Sequence, residues 1–173
     1  MRLIPVLLAA FIAAGTMASA GFSQRPDDQI DPRSVSIVSQ GRTALTAGRH
    51  DDATDLFETA LAVDPRNRDA YVGLAHVAQA QRLPGKAIRL YADALQIEPN
   101  DVNALAGQGE AYVQRGAVDR ARRNLAKVQQ LCGRPCPQST QLTAAIDRGP
   151  PVATAEAPAP ATPPAQAPAR RPN

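Results

Sequence analysis

A period of 34 residues runs through the middle of the chain and limits its fold more than any other feature. Ala53, Ala87 and Ala121 stand 34 apart; Phe57, Tyr91 and Leu125 follow each by four residues, and Ala60, Ala94 and Val128 by three more. Upstream, Gly41, Ala75 and Gly109 keep the same interval, as do Ala44, Ala78 and Tyr112. Asp64-Pro65 and Glu98-Pro99 close the first two units, which sets them at 34–67, 68–101 and 102–135. A unit this short cannot bury an apolar face alone, so neighbours must stack and the ends must be covered.

Inside each unit the spacing is helical. Tyr71, Leu74, Ala75 and Ala78 form one apolar stripe, and Ala87, Ile88, Tyr91, Ala94 and Leu95 a second. Arg82-Leu83-Pro84-Gly85 reads as the turn between them, with Pro84 suited to a first helical turn. Asp51, Asp52 and Asp119 place carboxylates where second helices begin and the helix dipole favours them. Pro65 and Pro99 end those helices, because the residue before a proline is pushed out of the α region. Small residues at 41, 53, 60, 75, 87, 94, 109 and 121 let helices approach closely, while large ones at 57, 71, 91 and 112 fill the space between.

At these positions the chain resembles the tetratricopeptide-repeat (TPR) family. The second unit carries most of the pattern in Tyr71, Leu74, Ala75, Ala87, Tyr91, Ala94, Leu95 and Pro99. The third has Leu105, Gly109, Tyr112, Gly116 and Ala121 without a closing proline; the first has Gly41, Gly48, Ala53, Phe57, Ala60, Leu61 and Pro65. Gln40 and Gln108 depart from the family's usual leucine, and Val128 from its alanine. The resemblance implies an all-α fold, a right-handed superhelical α-solenoid of three helix-turn-helix hairpins. A further helix in 136–148, with Leu142, Ala145 and Ile146 on one side, is expected to cap the array.

The flanks differ in character. Arg2, the apolar run Leu3 to Ala14 broken only by Pro5, and Ala18-Ser19-Ala20 form the anatomy of a signal peptide over 1–20. That run is too short to span a bilayer, so no integral membrane span is expected after cleavage. The reading is an exported protein of the periplasm or cell envelope, or one secreted outright. Residues 21–33 show no periodicity and read as a flexible lead-in; 149–173 are dominated by Pro and Ala and read as a disordered tail of polyproline tendency. The tail is either a solubilising appendage or a spacer or Pro-rich ligand. From Gly21 to Arg148 there are 16 Lys plus Arg against 15 Asp plus Glu, so the repeat region is almost neutral despite a pI near 9.2. Neither that balance nor the scarcity of aromatics suits a nucleic-acid partner.

Cys132 and Cys136 are the two cysteines. In an oxidising compartment such a pair is most simply a disulfide, here pinning the last repeat to its cap. Zinc would want four ligands, and His50 and His76 are distant in sequence. A thioredoxin-like motif has two residues between its cysteines where this one has three, which leaves a thiol oxidoreductase as the minor alternative. No Ser-His-Asp set, phosphate loop or paired catalytic carboxylates stand out, so no enzyme activity, metal or cofactor is expected.

The resemblance implies where a partner would sit, because the first helix of each TPR repeat lines the concave face. The matching positions are Val35, Val38, Arg42, Leu45 and Thr46; Asp69, Val72, His76, Gln79 and Ala80; and Asn103, Ala106, Glu110, Val113 and Gln114. The expected partner is a peptide or protein segment, and the expected role a non-catalytic scaffold in envelope, pilus or secretion assembly. TPR domains that clamp a C-terminal carboxylate use Lys, Asn and Arg at positions that here hold Val38, Arg42, Gly73, Asn103 and Gly107, so that clamp is not expected. A second alternative is homo-oligomerisation, prompted by Asp51, Asp52, Asp55 and Glu58 in the first repeat against Arg120, Arg122, Arg123 and Lys127 in the third.

Overall fold

The computed structural model describes residues 29–151; the expected signal peptide, most of the lead-in and the tail from 152 onward lie outside them. Among the described residues there are seven helices and no strand: α1 (Pro32–Thr46), α2 (His50–Val63), α3 (Arg68–Ala80), α4 (Pro84–Ile97), α5 (Val102–Gln114), α6 (Val118–Cys132) and α7 (Pro137–Arg148). Connections this short force consecutive helices antiparallel, so α1/α2, α3/α4 and α5/α6 are hairpins. Helices α1, α3, α5 and α7 contact one another in succession, and each even helix packs on the odd helix that follows it. The result is an all-α solenoid in which α7 takes the place of a next repeat's first helix.

The hairpin turns need one residue with a left-handed backbone. Gly48 (φ 74°) and Gly116 (φ 79°) supply it in the first and third hairpins, where glycine adopts the conformation at no steric cost. Arg82 (φ 58°) holds the same place in the second, as a side-chain-bearing residue in that region.

Packing is organised around single large side chains. Phe57 of α2 is fully buried, and its ring occupies the space that a Cβ on Gly41 or Gly73 would need. Tyr91 of α4 does the same one repeat later against Gly107. At the end of the array Leu142 of α7, also fully buried, covers Gly109. Each such side chain contributes about 2 to 3 kcal/mol through burial. The two glutamine departures have different explanations. Gln40 is exposed, and among the described residues no helix precedes α1 to cover it. Gln108 is buried and ties three helices together: its Nε2 donates to the Ile88 carbonyl (3.2 Å) and its Oε1 accepts from Asn124 (3.0 Å).

Three junctions join the repeats, and each is latched differently. At the first, the buried Asp64 carboxylate accepts from the backbone N–H of Asp31 (2.9 Å) and of Arg66 (3.0 Å). Beside it Ser34 Oγ donates to the Ala60 carbonyl (2.7 Å) and accepts from Asn67 (2.8 Å). At the second, Arg68 pairs with Asp69, Glu98 and Asp101, while Lys127 donates to the Pro99 carbonyl (2.6 Å). At the third, the Sγ atoms of Cys132 and Cys136 lie side by side with their Cα atoms 6.2 Å apart, a separation a disulfide spans.

The first helix begins earlier than the unit boundary at 34. Pro32 occupies its first turn, and Asp31 caps it by accepting from the Arg33 N–H (2.8 Å). Residues 31–33, assigned by periodicity to the loose lead-in, are therefore part of the packed domain, held by the Asp31–Asp64 latch.

Candidate functional site

Helices α1, α3, α5 and α7 together line a groove of about 300 Å³. Its floor is made of Val72, Gly73, Ala106 and Gly107, all buried. The floor is low because Phe57 and Tyr91 press from behind against the two glycines, leaving no room for a Cβ. Arg42 and Leu45 form one side, Asp69, His76, Asn103 and Glu110 stand along the middle, and Pro137, Gln138 and Gln141 close the far end. Gln138 is fixed there by donating to Asn103 Oδ1 (2.8 Å).

Several polar groups of the groove are already engaged. Arg42 pairs with Asp69 (2.7 Å), and Arg68 pairs with Asp69 (2.6 Å), Glu98 and Asp101. Gln79 accepts from the Tyr91 hydroxyl (2.7 Å) and donates to the Gly107 carbonyl (3.4 Å), so it serves the wall rather than a ligand. Burial pushes the Tyr91 hydroxyl well above its ordinary pKa, with the Glu110 charge adding to it, and keeps it a donor. His76 sits edge-on to the Tyr91 ring at 5.9 Å; it stays open to the groove, yet desolvation by its packed neighbours, then the Arg42 charge, lowers its pKa below the usual 6.5. Glu110 makes no hydrogen bond or ion pair among the described residues. Burial raises its pKa above the ordinary carboxylate value, opposed by the charge of Arg148.

Glu110 and Gln141 also border a second cavity of about 670 Å³ between α5 and α7. Val113, Gln114, Ala144, Ala145 and Arg148 line it, and Gly149, Pro150 and Pro151 lie along its edge.

The structure thus brings eight positions implied by the family resemblance into one groove: Arg42, Leu45, Asp69, Val72, His76, Asn103, Ala106 and Glu110. Val113 faces the adjoining cavity, and Gln79 backs the floor. Val38 must be corrected: it is only 2 % exposed and belongs to the core with Phe57, Leu74 and Val77, so no partner can reach it. Val35 is exposed at the start of α1 but lies outside the groove lining. Pro137, Gln138 and Gln141 went unrecognised in the sequence. Their signal was available, because α7 begins one residue beyond the 34-residue interval from α5, which puts Gln138 and Gln141 in register with Asn103 and Ala106.

Among the described residues no set of three or more His, Cys, Asp or Glu side chains could hold a metal ion, and no helix is long and apolar enough to cross a membrane. On the outer face Asp51, Asp52, Asp55 and Glu58 of α2 and Arg120, Arg122 and Arg123 of α6 are all exposed. Several are locally engaged, with Arg49–Asp52 at 2.9 Å, Arg122–Asp119 at 3.2 Å and Arg120 stacked on Tyr112.

The tetratricopeptide repeat family model matches residues 38–102 and 72–131, together more than half of the chain. Mouse DnaJ homolog subfamily C member 3 is 29% identical over 89 residues, covering 49% of this chain and 18% of the relative. A barley protein described as a probable UDP-N-acetylglucosamine–peptide N-acetylglucosaminyltransferase SPINDLY is 27% identical over 90 residues, covering 52% of this chain and 10% of the relative. The chain therefore spans less than a fifth of each of these relatives. Among solved structures, the second TPR domain of human RPAP3 in complex with HSP70 peptide SGPTIEEVD superposes with a TM-score of 0.60 at 17% identity, covering 66% of this chain and 95% of that one. A Thermobaculum terrenum O-GlcNAc transferase variant gives 0.60 at 19% identity, covering 65% and 22%.

Proposed function

This chain belongs to the tetratricopeptide-repeat family, and on that premise we propose that it is a binding scaffold whose groove holds an extended segment of another protein. The observation that carries this reading is the groove itself: a low floor of small residues, flanked by exposed polar side chains from four alternate helices. An extended peptide fits such a surface, because its backbone can use the amides of Asn103, Gln138 and Gln141 while a side chain rests on the apolar floor. The solved RPAP3 domain of similar fold was determined with a peptide bound, which favours the same mode of use here. Binding rather than catalysis is the work assigned to the domain.

The leader-like N-terminus supports a site of action in the cell envelope or outside the cell. There an oxidising milieu closes Cys132–Cys136 as a disulfide and fixes α7, the helix that supplies the groove's end wall. Assembly of the envelope, a pilus or a secretion apparatus is the setting this reading favours. Acidic C-terminal peptides are not the expected ligand, since Val38, Gly73 and Gly107, at the clamp positions, are buried in the core or the floor.

Site-specific photocrosslinking tests the reading. A benzoylphenylalanine at His76 or Asn103, both exposed in the groove, should trap a defined protein in living cells, whereas one at Glu58 or Arg89 on the outer face should not. Trapping from the outer positions alone would overturn it.

A further inference from the structure

Resting on the groove reading, we infer that the bound segment presents a lysine or arginine side chain to Glu110, at the meeting point of the groove and the α5–α7 cavity. The argument is one of charge matching. Both groove cations, Arg42 and Arg68, already have carboxylate partners in Asp69, Glu98 and Asp101. Glu110 alone among the lining carboxylates has none. It is half-buried, so its charge is poorly served by water, and a carboxylate in such a place gains most from a hydrogen-bonding cation.

The surroundings suit a long cationic side chain rather than a bare ion. Val113, Ala144 and Ala145 form an apolar wall next to Glu110, along which the methylene stem of Lys or Arg can lie while its charged head meets the carboxylate. Gln141 borders both cavities and can accept a remaining N–H. Arg148 lines the same cavity, and its charge acts on Glu110 with no ion pair between them. His76 adds little competing positive charge, since desolvation by its neighbours and the Arg42 charge favour its neutral form.

The test selects phage-displayed random dodecapeptides on the purified protein and measures the winners by fluorescence anisotropy. Selected peptides should share a Lys or Arg at one register. Replacing it with norleucine, or Glu110 with Gln, should each weaken binding about tenfold, about 1.4 kcal/mol. The two changes together should cost little more than either alone. Glu110→Asp should recover part of the loss, and Glu110→Lys should shift selection toward acidic residues. A consensus with no basic position, or full affinity in Glu110→Gln, overturns the inference. Asn103→Trp with Gln141→Trp separates this from the broader reading, as both positions are exposed and tolerate bulk. If that variant loses binding while Glu110→Gln does not, the groove stands and the cation fails. If neither loses it, or no peptide is selected, both readings fall.

Discussion

The first and last junctions of the array solve one problem with opposite means. Between α2 and α3, adjacent repeats are joined by noncovalent complementarity: Phe57 packed on Gly41 and Gly73, and Asp64 buried under two backbone N–H groups. At the α6–α7 junction, among the described residues, no further full repeat follows to pack against. A lone helix covers Gly109 with Leu142, hydrogen-bonds Asn103 through Gln138 and is joined through the adjacent Cys132 and Cys136. An interior helix is held on two faces and a terminal one on a single face, so the terminal helix has less burial energy to offset its ordering. That same terminal helix forms the end wall of the groove, so the less supported element is also part of the candidate site.

This contrast can be broken experimentally. Phe57→Ala should cost about 4 kcal/mol, lowering the midpoint of the whole denaturant transition. Leu142→Ala should cost about 3 kcal/mol, but hydrogen exchange should show the loss confined to α7 amides while α1 to α4 keep their protection. Equal loss of protection everywhere in both variants would mean the array is one cooperative unit and the contrast is false.

The polar latches sharpen it further. Asp64→Ala removes the acceptor for two N–H groups, one of them on buried Asp31, and should cost about 2 to 3 kcal/mol. The hydrogen bond from the Asp31 N–H, helped by Arg66, depresses the Asp64 pKa below its ordinary 3.8. Its contribution is therefore full above pH 3.8 and disappears as pH falls through the depressed value; equilibrium unfolding of Asp64→Asn should lack that acid loss. Replacing both cysteines with serine should cost about 2 kcal/mol, because the loop closed is small, and should raise α7 exchange without moving the first junction.

Two smaller effects test the details. Arg82→Gly should raise stability by about 0.5 to 1 kcal/mol, read as a higher unfolding midpoint, by relieving a left-handed backbone that the first and third hairpins give to glycine. A lowered pKa at His76 means the unfolded chain binds its proton more readily, so stability declines as pH drops below 6.5 and levels off beneath the folded value. His76→Gln should flatten that shallow slope in thermal melts.

Much of the fold could be read from residue spacing because a short-period repeat forces each position to meet the same environment. Phe57 and Tyr91 were recognisable as packing residues for that reason, and Pro65 and Pro99 as helix stops. The groove was less legible. Val38 sits on a helix stripe with Arg42 and Leu45, yet it is buried because Phe57 and α3 close over it. Gln138 and Gln141 were hidden by a one-residue slip in register after α6. Asp31 was hidden because the residue that holds it, Asp64, is remote in sequence.

Helix positions, hairpin pairing and the stacking order followed from the sequence alone, since periodicity is a local property that each repeat states again. Which side chains reach solvent in the groove, and which carboxylate is left without a partner, were decided only when α1, α3, α5 and α7 came together. Burial and ion pairing depend on neighbours that the chain brings near by folding, and no spacing rule records them.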